Sequence, residues 1–165
     1  MFDSIESPRE LFTYKLGVAL TMEKTVLDML GQLEGAAQRD ELKQQFRHHA
    51  QETQQQIRNL EQAFSAFGQE PDEKPCPAID GLEKEGKQLI KMTDESLVDN
   101  VVLGGAAETE HHEIAVYEGL ITEASAIGHE DIVALLEENL EQEKHTLQEI
   151  QQATQRLAQQ TLQTA

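Results

Sequence analysis

The sequence is poor in the residues that build disulfides, sheets and membrane spans. Its 165 residues include no Trp, two Tyr, five Phe and one cysteine, Cys76. A single cysteine excludes an intramolecular disulfide and a zinc site built from several thiolates. No segment approaches the ~18 apolar residues of a transmembrane helix, and the first residues lack the basic start and apolar stretch of a secretory signal. We therefore expect a cytoplasmic protein with no membrane partner.

Basic residues are also scarce, because 13 Lys and Arg stand against 31 Asp and Glu, for a formal net charge of −18. Nucleic acid is excluded as an expected partner, since few side chains could neutralise its phosphates. An anionic membrane surface is disfavoured for the same reason. The acidity suits cations, although a well-solvated surface explains most of it.

Good helix formers dominate what is present, chiefly Glu, Gln, Ala, Leu and Lys. The length is that of one domain, and apolar residues recur at spacings of three and four, as in a helical bundle. We predict a single all-α domain over 1–165. Its helices are predicted over 8–34, 39–67, 79–92, 97–127 and 129–162, with Ser7 and Asp40 as the N-caps of the first two.

The connections between the predicted helices specify a topology. The first and second helices are joined by a short link, as are the last two, so each pair forms an antiparallel hairpin. Almost thirty residues, including the short helix over 79–92, separate the two hairpins, and such a link can run back along most of a bundle. This order predicts a ferritin-like up-down four-helix bundle with a long crossover.

Carboxylates interrupt the apolar stripes of two helices. Glu23 stands between Leu20 and Leu27, and Glu143 stands between Leu140 and Leu147. A buried carboxylate costs several kcal/mol unless it is paired, protonated or bound to a metal. Each alone could be a salt bridge at the edge of the core, but the two together favour a metal site in the bundle.

The other two long helices carry polar residues on their inward faces as well. Glu110, Glu113 and Tyr117 share one face of the third long helix, and His49, Glu52 and Gln56 are spaced along the second. The di-iron pattern asks for Glu-x-x-His on two helices. The chain meets it only partly, because the one literal match ends at His111 and its Glu lies off the inward face. His49 alone could equally be a hydrogen-bonded residue at the edge of the core.

Five segments resemble the YciF-like, or DUF892, ferritin-like family, and together they span most of the chain from about residue 7 to residue 150. The most specific is the string Glu-His-His-Glu-Ile-Ala-Val-Tyr over 110–117. The segments lie at 14–24, 49–61, 76–86, 110–117 and 135–144.

This resemblance implies a bacterial stress-response protein that forms a homodimer and holds a rubrerythrin-like dinuclear metal site. The implied ligands, carried over by position, are Glu23, Glu52, Glu110, Glu113 and Glu143. Leu147 stands where an acidic residue is often expected, and Gln55 and Gln56 stand where a rubrerythrin-like site has His, so His49 is a substitute nitrogen donor. Tyr117, Gln56 and His111 are expected to surround the ligands.

Two functional hypotheses follow. In the first, the carboxylates bind two metal ions, iron foremost and manganese as the other candidate, and the protein acts on dioxygen or peroxide or sequesters iron. With a single cysteine, any electrons would come from an external donor. In the second, the protein is a non-catalytic stress-response or structural dimer whose carboxylates no longer bind metal.

Overall fold

The computed structural model describes the backbone of residues 4–164 and the side chains of residues 4–160. It has five α-helices and a short 3₁₀ helix, Glu95–Leu97, and no strand within the described part of the chain. The helices are α1 (Pro8–Ala36), α2 (Asp40–Ala66), α3 (Pro77–Met92), α4 (Val98–Ala126) and α5 (Glu130–Thr164). The prediction of an all-α chain is confirmed.

The long helices form a bundle of two hairpins. α1 packs along α2, and α4 packs along α5. The hairpins close on each other because α2 faces α5 while α1 faces α4. The crossover runs from the end of α2 through α3, which lies against α4 and α1. The predicted ferritin-like four-helix bundle with a long crossover is therefore confirmed.

The helix starts show where local signals suffice and where they do not. Ser7 caps α1 as predicted, its hydroxyl accepting a hydrogen bond from the Glu10 backbone N–H at 3.2 Å. The predicted Asp40 cap is wrong, because Asp40 is already in the first turn of α2 and Arg39 occupies the cap position without a side-chain bond. Asp99 of α4 instead holds the link before α2, accepting a hydrogen bond from the backbone N–H of Gln38 at 2.7 Å.

The crossover is fastened to α1 at a glycine. The backbone N–H of Lys74 donates to the carbonyl of Gly17 at 3.1 Å. A Cβ at Gly17 would lie 2.3 Å from the carbonyl oxygen of Asp72, which is backbone and cannot swing away. Only glycine therefore lets this link pack so closely against the helix.

The core is apolar at both ends of the bundle and polar in the middle. Phe12, Leu16 and Leu20 of α1 are at most 1% exposed, and Glu23, one turn later, is just as buried. Polar residues from all four long helices share this middle layer. No helix in the described residues is both long and apolar enough to cross a membrane.

Candidate metal centre

Four side chains from three helices meet in the middle of the bundle. They are His49 of α2, Glu110 and Glu113 of α4, and Glu143 of α5, and each is at most 3% exposed. One nitrogen or oxygen atom from each side chain can be chosen so that all four lie within 4.8 Å of one another. We refer to these four residues as the His/Glu cluster.

His49 is the hub of the His/Glu cluster. Its Nε2 lies 3.1 Å from Oε1 of Glu110 and 3.7 Å from Oε2 of Glu143. Its Nδ1 faces the other way, 3.3 Å from the Thr146 hydroxyl and 3.5 Å from Oε2 of Glu52. With a proton on Nδ1 held by these acceptors, Nε2 presents its lone pair to the cluster, as a metal-ligating histidine does.

Most carboxylate oxygens of the cluster lack a hydrogen-bond donor. Both oxygens of Glu113, both oxygens of Glu143 and Oε2 of Glu110 are buried and have no hydrogen-bond partner in the described part of the chain. Such atoms are costly to bury unless a proton or a cation compensates them. Oxygen-rich donors with one imidazole are the ligand types that iron and manganese accept, so the residues present fit a metal centre.

Glu23 and Tyr117 extend the centre towards α1. The Tyr117 hydroxyl donates a hydrogen bond to Oε1 of Glu23. Both side chains are fully buried, and Oε2 of Glu23 has no partner among the described side chains. Glu23 lies close enough to Glu113 for each to affect the pKa of the other.

Burial and mutual repulsion oppose ionisation of these carboxyls. Burial raises the pKa of Glu23 to about 7, against the opposing effects of the Tyr117 hydrogen bond and the His49 charge. Burial, followed by the charges of Glu143 and Glu23, raises the pKa of Glu113 well above its usual value. Burial and the Glu23 charge do the same to the pKa of Glu143. A bound cation would remove these penalties.

The pKa of His49 is raised as well, but by a different cause. Burial alone would lower the pKa of His49, but the carboxylate of Glu110 outweighs it and raises that pKa well above its usual value. Without a cation, the cluster therefore stabilises an imidazolium among carboxylates. A metal ion would replace that proton.

The remaining predicted residues lie outside the His/Glu cluster. Glu52 is 20% exposed and sits behind His49, between its Nδ1 and the exposed His48, because a residue three positions on turns towards the edge of α2. His111 is exposed on α4, so the structure does not bring it to the ligands. Gln56 is fully buried, and neither end of its amide has a partner among the described residues.

Sequence reasoning missed three residues near the site. Thr146 contacts Nδ1 of His49, and Asn59 and Asn139 are buried, hydrogen-bonded to each other, and linked to Tyr117. Their positions carried a usable signal, since Asn139 follows Leu136 by three residues and precedes Glu143 by four on the inward stripe of α5.

A narrow cavity leads from the α2–α5 surface to the cluster. Its interior volume is about 10 Å³, room for about one water molecule, and it is lined by Phe46, Thr146 and Ile150 together with His49 and Glu110 of the cluster. Gln45 and Glu149 line both this cavity and a wider surface groove.

Comparison with known proteins gives one family and several close relatives. The profile of the family described as "Domain of unknown function (DUF892)" matches residues 7–163. Protein YciF of Escherichia coli (strain K12) is 31% identical over 145 residues, which cover 87% of each chain.

Solved structures agree over the whole bundle. YcfI from Rhodopseudomonas palustris matches with a TM-score of 0.87 and 34% identity, covering 92% of this chain and 97% of that one. The crystal structure of the E. coli stress protein YciF matches with a TM-score of 0.90 and 27% identity, covering 94% and 99%. The described helices thus have the same arrangement as those of two relatives.

Proposed function

The chain belongs to the DUF892 family, and we propose that it is a ferritin-like stress-response protein that binds a dinuclear iron or manganese centre in its bundle core. The observation that carries this proposal is the buried His/Glu cluster, whose ligand atoms lie within 4.8 Å of one another. Five of its six carboxylate oxygens are buried without a hydrogen-bond partner in the described part of the chain. A bound cation would compensate their charge when they are ionised.

The charge of the site favours two ions over one. Glu23, Glu110, Glu113 and Glu143 bring up to four negative charges into a layer that is at most 2% exposed. One divalent ion would leave half of that charge uncompensated in the core, whereas two would neutralise it with His49 as a neutral ligand. The charges of Glu143 and Glu23 both act on Glu113, so Glu113 would contribute to holding the ions beside either neighbour.

Iron or manganese, when bound, supplies the capacity for redox reaction with dioxygen or peroxide, and iron could itself be the cargo that is sequestered. The protein's own residues hold the ligands and limit access. Thr146 and Glu52 orient His49 from behind, Tyr117 holds Glu23, and Phe46 and Ile150 restrict the cavity to small solutes. Electrons, where required, come from an external donor.

Metal titration of matched variants tests this proposal. Metal-free protein should take up two equivalents of Mn(II), or of Fe(II) under anaerobic conditions. Glu143→Gln should lose that uptake, whereas Glu141→Gln, which changes an exposed carboxylate on the same helix, should retain it. Wild-type protein that takes up neither ion would contradict the proposal.

A second candidate function is a structural or stress-response dimer in which the carboxylates form only a buried polar network. It is favoured by the description of the R. palustris relative as a candidate structural protein. In that case Glu23→Ala or Glu143→Ala would leave the melting temperature unchanged or raise it, and metal would not raise the melting temperature of wild-type protein. A metal-dependent rise that is lost in both variants would exclude this candidate.

A further inference from the structure

A continuous chain of hydrogen bonds joins the exposed Arg58 to the buried Glu23. Each side chain that accepts one hydrogen bond donates the next, and the series crosses from α2 to α5, α4 and α1. The bonds are Arg58 Nη2 to Gln55 Oε1 at 2.7 Å, Gln55 Nε2 to Asn59 Oδ1 at 2.9 Å, Asn59 Nδ2 to Asn139 Oδ1 at 2.7 Å, Asn139 Nδ2 to Tyr117 Oη at 3.0 Å, and Tyr117 Oη to Glu23 Oε1.

The direction of this chain is fixed at two points. A guanidinium only donates, so the oxygen of the Gln55 amide must face Arg58. The backbone carbonyl of Gln56 only accepts, and it lies 3.2 Å from Nδ2 of Asn139. The Asn139 amide therefore has one orientation, in which its second N–H faces the oxygen of Tyr117.

The orientation of Asn139 decides what Tyr117 does. The phenol oxygen accepts from Asn139, so its single hydrogen is directed to Oε1 of Glu23. Oε2 of Glu23 is left buried without a partner in the described residues. The last hydrogen bond of the series thus fixes one oxygen of the Glu23 carboxylate and leaves the other available to a ligand.

Packing alone does not account for this arrangement. Asn59, Asn139 and Tyr117 are at most 2% exposed, and apolar residues of similar volume would stabilise the α2–α5 contact as well without an amide to satisfy. Hydrogen bonds in a row polarise one another, so a chain that starts at a cation strengthens the bond at its far end.

We propose that Asn139, itself held by Asn59, is a positioning residue that fixes Tyr117 as a donor to Glu23 and so orients Glu23 towards the metal centre. The part of this inference that concerns metal rests on the proposed function. The part that concerns the orientation of Tyr117 applies to the metal-free protein as well. An outer hydrogen-bond partner of this kind changes metal affinity by about 10-fold to 100-fold when it is removed.

Tyrosine Raman spectroscopy can test the orientation, because the sequence has two Tyr and no Trp. Tyr14 is exposed on α1, so the variant Tyr14→Phe leaves Tyr117 as the only tyrosine. In that background and without metal, the tyrosine doublet near 830 and ~850 cm⁻¹ reports whether the phenol accepts as well as donates. Three chain variants, Arg58→Leu, Asn59→Leu and Asn139→Leu, are compared with Leu136→Ala, a core substitution one turn from Asn139.

The doublet ratio is the intensity of the higher-frequency band divided by that of the lower-frequency band, and it falls when the phenol oxygen loses a donor. We expect it to fall most in Asn139→Leu, less in Asn59→Leu and least in Arg58→Leu, and to stay constant in Leu136→Ala. Asn59 and Arg58 do not touch Tyr117, so a role in packing alone predicts no change in those two variants. Arg58 is exposed, and its variant keeps the test decisive if a core variant fails to fold. An unchanged doublet in both Asn59→Leu and Arg58→Leu, or an equal change in Leu136→Ala, would overturn the inference.

Metal affinity is measured on the same variants. We expect Asn139→Leu to bind Mn(II) about 10-fold more weakly, with unchanged affinity in Leu136→Ala. Unchanged affinity in Asn139→Leu would overturn the link to the metal centre. Wild-type protein that binds no metal would refute the proposed function, while the Raman comparison would still decide the orientation of Tyr117.

Discussion

At the scale of single residues, the buried carboxylates make the stability of the core sensitive to pH and to metal. Glu23, Glu113 and Glu143 are fully buried, and burial is the main cause that raises the pKa of each, with neighbouring carboxylates adding to the shift. Their acidic forms are therefore favoured in the folded metal-free protein. Metal binding favours their ionised forms.

The stability of the metal-free protein should consequently depend on pH. The pKa of Glu23 is raised from 4.5 to about 7, so its contribution is present at low pH and is lost as pH rises through that value. The raised pKa values of Glu113, Glu143 and His49 act in the same direction. In a chelating buffer, the melting temperature should be higher at about pH 5.5 than at about pH 8, by on the order of 5 °C.

The lowered pKa of Glu52 acts only at more acidic pH, below its usual value of 4.5, and does not reverse this trend. Stabilisation by added Mn(II) should show the opposite dependence and grow with pH, because the ligands must lose their protons. A melting temperature of metal-free protein that increases with pH across this window would contradict the assignment of these carboxyls as buried and unpaired.

The variant Glu113→Gln separates the destabilising effect of the buried charge in the metal-free protein from its stabilising effect as a metal ligand. Without metal at about pH 8, this variant should be more stable than wild type by roughly 1–3 kcal/mol, because a buried carboxylate without donors is replaced by a neutral isostere. With Mn(II), wild type should become the more stable protein. Denaturant unfolding with and without metal measures both differences, and Glu118→Gln, an exposed change on the same helix, should alter neither.

The composition of the site was only partly predictable from sequence. Glu23 and Glu143 were detectable because each interrupts an apolar stripe, and Tyr117 because it shares a face with Glu110 and Glu113. The position of His49 at the hub was not, because its Nε2 meets carboxylates from α4 and α5 that lie 61 and 94 residues away in sequence. The inward position of Asn139 could have been read from the apolar stripe of α5, but its partners could not, since they lie on other helices.

At the scale of the helices, local signals determined most boundaries. α1 begins at the predicted residue 8, and α3 ends at the predicted residue 92. α2 begins at Asp40 without a side-chain cap, and the link before it is held by a tertiary hydrogen bond from the Gln38 N–H to Asp99. Sequence patterns reveal hydrogen bonds within the same few residues but not those supplied by another helix.

Two glycine substitutions on one hairpin should have opposite effects. Gly128 ends α4 with φ +81°, and the His129 N–H closes the turn onto the carbonyl of Ala124 at 3.0 Å. Gly128→Ala should destabilise by about 1 kcal/mol, since a side chain disfavours that φ. Gly119 lies within α4 with open space around its Cα, so Gly119→Ala should stabilise by roughly 0.5–1 kcal/mol. Chemical denaturation compares the two, and equal signs would contradict the described turn.

At the scale of the whole molecule, we propose that the chain forms a homodimer through the outer side of the crossover helix. Leu89 and Met92 are 42% and 72% exposed at the end of α3, and Leu97 is 48% exposed shortly after it. Exposed apolar side chains grouped in this way are typical of a protein contact surface.

The double variant Leu89→Glu/Met92→Glu should therefore be monomeric, because four charges would be buried in a symmetric contact. Sedimentation velocity measures the oligomeric state. Leu11→Glu serves as the control, because Leu11 is an exposed apolar residue on α1 and its substitution should leave the dimer intact. A monomeric wild type, or a double variant that still dimerises, would refute this surface.

The central claim concerns the metal centre, and X-ray diffraction at the manganese absorption edge tests it most directly. Crystals of the full chain grown with Mn(II) should give two anomalous peaks per chain, between Glu110, Glu113 and Glu143, with one peak beside Nε2 of His49 and one beside Oε2 of Glu23. The absence of anomalous density among these side chains at saturating Mn(II) would contradict the account.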